Sequence, residues 1–135
     1  KLSDDQGLSD NANIQVVSVN GKVLIVGQAK NTYLRDSAIK ILNEVDGIDH
    51  IYDQIRISNL TSLSTRTNDI WLTSKVKAAL LGSDVVDATN IKVVTENGEV
   101  FLMGLIDNKQ ADEAVEVARH ISGVNRVFKM FEYIQ

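Results

Sequence analysis

Very few residues of this sequence have the types and spacing that catalysis or metal binding requires. The chain has no cysteine, and its two histidines, His50 and His120, stand in non-equivalent places without metal-ligand spacing. No serine lies in the Gly-x-Ser-x-Gly pattern of hydrolases. The acidic residues near the start of one predicted helix suit the helix dipole and solvent: Asp107, Asp112, Glu113 and Glu116. We therefore expect a non-enzymatic protein with no catalytic residue, metal site or cofactor.

Residues 70–81 are the stretch whose residue types suggest binding, because they combine the single tryptophan, two lysines and apolar residues at helical spacing. At about 100° per residue, one arc of this helix is a core stripe. That arc holds Leu72, Val76, Ala79 and Leu80. A second arc holds Ile70, Trp71, Ser74, Ala78 and Leu81, and the gaps between the arcs hold Lys75 and Lys77.

A membrane surface is one partner that these residue types suit. Tryptophan is enriched at membrane interfaces because its ring is large and apolar while its N–H is polar. Lysines beside an apolar patch can extend to lipid phosphates, and each contributes about 1 kcal/mol near an anionic surface. The alternatives are packing of the second arc against the rest of the chain, and docking of this helix or of a sheet edge onto a protein.

An internal repeat organises the chain. Residues 13–27 recur as residues 90–104, and each copy holds two β-rich runs joined by Asn-Gly. This dipeptide favours a type I′ turn, in which both central residues have a positive φ. Each copy is therefore predicted to form a β-hairpin, with its second strand ending at Gly27 or Gly104.

A helix and a third strand follow each predicted hairpin. Apolar residues at helical spacing lead to Gly47 in the first copy and to Gly123 in the second, where a helix C-cap would have a positive φ. The third strands are expected at residues 48–57 and 124–134. A right-handed crossover would return each of them parallel to the second strand.

The sequence thus predicts an α+β fold of two tandem α-β-β-α-β units, each a three-stranded mixed sheet covered by helices. The helix at 70–81, with Asn68 or Asp69 as its N-cap, opens the second unit. The first unit lacks most of this opening helix, and we expect only its tail in the first residues of the chain. The expected organisation is a first domain at 1–57, a linker at 58–67 and a second domain at 68–135.

Composition narrows the classes of function. Of the 135 residues, 44% are hydrophobic and 24% are charged, which is typical of a globular protein. The net charge of −4 argues against general nucleic-acid binding, since this relies on clustered lysine and arginine at phosphates.

Three stretches resemble the BON domain of bacterial envelope proteins. They read Gly-Lys-Val-Leu-Ile-Val-Gly-Gln at 21–28, Asn-Asp-Ile-Trp-Leu-Thr-Ser-Lys-Val at 68–76 and Thr-Glu-Asn-Gly-Glu-Val-Phe-Leu-Met-Gly-Leu at 95–105. The resemblance covers nearly the whole chain, and the tandem pair is similar to dual-BON outer-membrane lipoproteins.

The resemblance implies a protein at the periplasmic face of the outer membrane, where a lipid anchor absent from these residues would hold it. It also implies a role in envelope integrity and binding of anionic phospholipid, such as phosphatidylglycerol, through the opening helix of the second unit. The binding residues then expected are Ile70, Trp71, Leu72, Ser74, Lys75, Lys77, Ala78 and Leu81. The alternative is a scaffold that docks onto the outer-membrane protein assembly machinery.

Overall fold

The computed structural model describes residues 11–133, and the chain divides into two compact units after Ser62. The first unit holds β1 (Ala12–Val19), β2 (Lys22–Ala29), α1 (Thr32–Asn43) and β3 (His50–Ile57). The second holds α2 (Leu63–Leu81), a 3-10 turn (Ala88–Asn90), β4 (Ile91–Glu96), β5 (Glu99–Ile106), α3 (Asn108–Arg119) and β6 (Arg126–Tyr133). In each sheet the middle strand pairs antiparallel with the first strand and parallel with the third. The predicted α+β fold of two units is confirmed.

Both Asn-Gly turns have the predicted geometry. The φ angles are 53° at Asn20 and 82° at Gly21, and they are 52° at Asn97 and 77° at Gly98. Positive φ at both central residues is the mark of the type I′ turn, whose twist matches that of the flanking strands. The two predicted hairpins, β1–β2 and β4–β5, are therefore confirmed.

Gly27 and Gly104 lie inside their strands, so the prediction that the second strands end at these residues is wrong. Each strand continues for two more residues. The φ angles are +138° at Gly27 and +150° at Gly104, and a Cβ there would lie 1.9 Å from the Asn13 carbonyl oxygen or 2.1 Å from that of Asn90. Glycine is required here by the close approach of the neighbouring strand rather than by a strand end.

Asparagine or aspartate caps the N-terminus of both crossover helices. The Asn31 side chain accepts a hydrogen bond from the Leu34 N–H at 2.9 Å, and Asp107 accepts one from the Gln110 N–H at 2.8 Å. Each bond satisfies a backbone donor that has no partner within the helix. Hydrogen bonds from the backbone and side chain of Gln110 also hold the pKa of the Asp107 carboxyl below its ordinary value.

The crossover helices end before the glycines that were predicted as their C-caps. Their C-caps are Glu44 and His120, both with right-handed helical φ and ψ. The positive φ predicted at the glycines is confirmed, with +88° at Gly47 and +97° at Gly123. These residues lie in the loop that turns the chain from the helix into the third strand.

The opening helix of the second unit begins earlier than the sequence predicts. It starts at Leu63, so that residues 63–67 of the expected linker are helical and neither Asn68 nor Asp69 is the N-cap. Asp69 is only 5% exposed, and its carboxylate accepts hydrogen bonds from the Asn97 N–H at 2.7 Å and the Gly98 N–H at 2.8 Å. The carboxylate thus satisfies the β4–β5 turn instead of its own helix.

Among residues 11–133, no helix precedes β1. The helix tail expected in the first residues of the chain falls on positions 1–10, which lie outside the described residues. The same holds for residue 134, the last position of the predicted final strand.

Each unit has its own apolar core. In the second unit both helices contribute, with Val76 and Leu80 of α2 and Ala114 of α3 against β5. In the first unit α1 contributes Ala38 and Leu42 against β2. The helix α2 is therefore fixed in place by its own unit's core.

Replacing Asp69 by alanine is expected to lower the free energy of unfolding of the second unit by about 2–4 kcal/mol, because two backbone N–H groups lose a charged acceptor. Urea denaturation followed by circular dichroism measures the effect, and hydrogen exchange at the Gly98 amide localises it. Asp36→Ala, at an exposed position of α1, is the matched control and should change stability by less than about 0.5 kcal/mol. Equal stability of the two variants would contradict the prediction.

Candidate functional site

The inner face of α2 is anchored in its unit. Leu72, Val76 and Leu80 are each at most 1% exposed. The Thr73 hydroxyl lies 2.7 Å from that of Thr95 on β4. Leu72 was expected among the lipid-binding residues, but it lies on this inner face and is not available to a surface partner. Exposing it would require the core to open.

The opposite side of α2, here called the outer face, consists of Leu63, Thr67, Ile70, Trp71, Ser74, Ala78 and Leu81. Its four large apolar side chains are open to solvent, with exposed fractions of 79% for Leu63, 70% for Ile70, 62% for Trp71 and 71% for Leu81. They extend over about 27 Å of helix, at 1.5 Å per residue. A helix surface of this kind offers a continuous apolar stripe to a partner.

Sequence reasoning found most of the outer face and missed its beginning. The structure brings Ile70, Trp71, Ser74, Ala78 and Leu81 together as exposed residues of one face. Leu63 was missed because the helix was expected to start at residue 68 or later. The available signal was spacing: Leu63, Ile70 and Leu81 are seven and eleven residues apart, which brings all three to nearly the same helical angle.

Basic side chains flank the outer face. Lys77 is exposed at one edge, and Arg66 lies eleven residues earlier on the same flank. Lys75 lies beyond the other edge, where its Nζ donates a hydrogen bond to the Ser122 carbonyl oxygen at 3.1 Å. Lys77 is thus well placed to meet a phosphate, while Lys75 already has a partner within its unit.

The helix α2 is the positively charged element of an acidic chain. It carries three basic residues and one acidic residue, Asp69, giving a charge of +2, while the whole chain carries −4. The remainder therefore carries −6 (−4 minus +2). Because exposed charges are screened beyond about 8–10 Å at physiological salt, the local +2 dominates for a surface that touches α2.

A small cleft adjoins the C-terminal end of the outer face. It has a volume of about 180 Å³ and is lined by Lys77, Leu80, Leu81, Ala88, Thr89, Ile91 and Val93. Its lining is mostly apolar, with a single lysine. The apolar surface of α2 therefore extends sideways past Lys77 toward β4.

The histidines contact neighbouring groups of their own units. The ring of His50 packs edge-on against Tyr52 with a centroid distance of 4.5 Å. His120 Nδ1 lies 2.7 Å from the Glu116 carbonyl oxygen. The Glu116 side chain binds the Arg119 guanidinium, whose hydrogen bonds keep the pKa of this carboxyl below its ordinary value. Within residues 11–133, no three histidine, aspartate or glutamate side chains are grouped so that they could hold a metal ion.

No helix in the described part of the chain combines the length and apolar character needed to cross a membrane. Any membrane contact of α2 would therefore be peripheral, along its outer face.

The repeated hairpin–helix–strand unit and the two-sided helix α2 define the class of protein. The chain belongs to the BON-domain family, whose domain matches residues 1–59 and again residues 68–135. It is 43% identical over 134 residues to the 21 kDa hemolysin of Actinobacillus pleuropneumoniae, covering 99% of this chain and 69% of that protein. It is 37% identical over 130 residues to the outer membrane lipoprotein DolP of Haemophilus influenzae, covering 96% of this chain and 67% of that protein.

A more distant relative is osmotically-inducible protein Y of Escherichia coli. It is 29% identical over 128 residues, covering 89% of this chain and 64% of that protein. The expected resemblance to a dual-BON outer-membrane lipoprotein of the DolP type is therefore confirmed, since DolP matches nearly the whole chain.

Proposed function

We propose that this protein is a non-enzymatic envelope protein that binds anionic phospholipid membranes peripherally through the outer face of α2. One observation carries the proposal: four large apolar side chains are exposed along one side of a helix whose other side is fixed in the core. Large exposed apolar patches on folded proteins mark interaction sites with proteins or membranes. The tryptophan at the centre and the basic flank favour an anionic membrane.

The similarity to DolP supports the location that we propose. That relative is named an outer membrane lipoprotein. By analogy, we place this protein at the periplasmic face of the outer membrane, attached through a lipid anchor in its precursor, where it contributes to envelope integrity. In that setting α2 is a second, reversible contact beside the anchor.

The energetics favour such a two-point attachment. Partial burial of the four apolar side chains contributes roughly 1 kcal/mol each, and Lys77 adds about 1 kcal/mol. The sum of about 5 kcal/mol corresponds to a dissociation constant on the order of 0.2 mM. Contact of this strength becomes effective when an anchor already keeps the protein near the bilayer, because the effective concentration is then high.

The single tryptophan gives a direct test. In the free protein Trp71 should emit like a largely solvent-exposed indole, because 62% of its surface is accessible. We expect a blue shift on adding phosphatidylglycerol vesicles, a much smaller shift with phosphatidylcholine vesicles, and weakening of the first response by salt. A spectrum that is unchanged by both kinds of vesicle would contradict the proposal. The search would then move to protein partners such as the outer-membrane protein assembly machinery.

A charge reversal tests the role of the basic flank. Lys77→Glu should reduce phosphatidylglycerol affinity by about tenfold, because one favourable contact becomes repulsive. Lys129→Glu, at an exposed position of β6, is the control with the same change of net charge. Equal effects of the two variants would show that net charge rather than the outer face controls binding.

A further inference from the structure

Two copies of the same reactive dipeptide stand in this chain, one in each hairpin turn. We propose that Asn20 is a site of spontaneous deamidation and that Asn97 is protected from the same reaction by the buried carboxylate of Asp69. Asn-Gly is the sequence most open to this chemistry, because glycine places no side chain beside the nitrogen that attacks. The two turns therefore differ in protection and not in sequence.

The reaction is a ring closure followed by hydrolysis. The backbone nitrogen of the glycine loses its proton to hydroxide and attacks the Cγ atom of the preceding asparagine. The C–N bond of the side-chain amide breaks, and ammonia leaves with a proton from water. Water then opens the five-membered succinimide at one of its two carbonyl groups, giving aspartate or isoaspartate. In sum, one water is consumed and one ammonia is released.

The two turns are closely matched in backbone conformation. Their asparagines have φ angles of 53° and 52°, and their glycines 82° and 77°. Both asparagines are exposed. Turn geometry, accessibility and the following residue therefore cannot make one asparagine more reactive than the other.

The attacking nitrogen is engaged in one turn only. The Gly98 N–H donates to Asp69 Oδ1 at 2.8 Å in a buried position, and the Asn97 N–H donates to Oδ2 of the same carboxylate at 2.7 Å. The carboxylate holds the proton on the Gly98 nitrogen and fixes that nitrogen in place. Among residues 11–133, no carboxylate accepts a hydrogen bond from the Gly21 N–H.

One other neighbour differs between the turns. The Asp49 carboxylate lies beside Gly21, whereas the Asn125 side-chain amide occupies the corresponding place beside Gly98. Both residues also donate their backbone N–H to the glycine carbonyl at 2.8 Å. The side chain at this position is the alternative cause that an experiment must separate from Asp69.

The asymmetry has a consequence for each unit. Conversion of Asn20 to aspartate lowers the net charge from −4 to −5. Conversion to isoaspartate inserts a methylene into the backbone of the β1–β2 turn. The turn that supports α2 keeps its amide, so ageing of the protein changes the first unit before the second.

Peptide mapping by mass spectrometry of the intact chain, incubated in mildly alkaline buffer, measures both sites in one sample. We expect Asn20 to convert at least about tenfold faster than Asn97, since a hydrogen bond to a charged group must break before Gly98 can attack. Asp69→Ala should raise the Asn97 rate at least about tenfold and leave the Asn20 rate unchanged. Equal rates at the two sites in the unaltered protein would overturn the proposal.

Two further variants separate protection from its alternatives. Leu80→Ala destabilises the same unit without touching the turn, so an equal increase at Asn97 in this variant would assign the effect of Asp69→Ala to unfolding and overturn the proposal. Asp49→Asn makes the first turn resemble the second at the other neighbour. The difference between the sites should persist in this variant, and its loss would also overturn the role of Asp69.

Discussion

Replacing Gly104 by alanine is expected to lower the free energy of unfolding of the second unit by about 3 kcal/mol or more. The added Cβ would lie 2.1 Å from the Asn90 carbonyl oxygen and 3.2 Å from the Asn90 carbonyl carbon. These are backbone atoms immediately before β4, where Ile91 pairs with Gly104, so the strand itself must move. The φ of +150° adds a conformational cost for any residue with a side chain.

A second glycine separates the clash from the conformational cost. Gly47 also has a positive φ, of +88°, but a Cβ there would meet no atom within 4 Å. Gly47→Ala should therefore cost only about 1 kcal/mol, the penalty of the left-handed conformation. Urea denaturation followed by circular dichroism compares the two variants, and hydrogen exchange shows which unit is affected. Equal losses in both would show that the approach of Asn90 contributes nothing.

These glycines also show what the sequence reveals of the fold. The type I′ hairpins could be predicted because Asn-Gly sets its own backbone conformation and the flanking residues favour strands. The division into two units followed from the repeat. Gly104, in contrast, reads as a strand end because glycine usually marks a break. Its actual role depends on a carbonyl group 14 residues earlier, which approaches only after the hairpin has formed.

The start of α2 was hidden by a long-range hydrogen bond of the same kind. Asn68-Asp69 before an apolar run has the local pattern of an N-cap. The Asp69 carboxylate is used instead by a turn 28 residues further along the chain. No local rule predicts that partner. The two arcs of the helix, which depend only on periodicity, were correctly assigned apart from the beginning of the outer face.

Introducing glutamate at two positions of the outer face, Ile70→Glu with Leu81→Glu, is expected to weaken binding to phosphatidylglycerol vesicles by at least about 100-fold. The pair removes roughly 2 kcal/mol of apolar contact and sets two negative charges against an anionic surface, at about 1 kcal/mol each. Both side chains are at least 70% exposed, so the fold should tolerate the changes. Trp71 remains as the reporter, and co-sedimentation with vesicles gives an independent affinity.

Matched variants divide this loss into its parts. Ile70→Gln with Leu81→Gln removes the apolar contact without adding charge and should weaken binding by about 30-fold. Tyr33→Glu removes a large side chain that is 78% exposed on α1 of the first unit, and it adds one negative charge there. It should change affinity by less than about twofold, because the new charge lies outside the outer face. If Tyr33→Glu weakened binding as much as the glutamate pair, the membrane contact would not be confined to α2. If the glutamate pair bound normally, α2 would have no part in it.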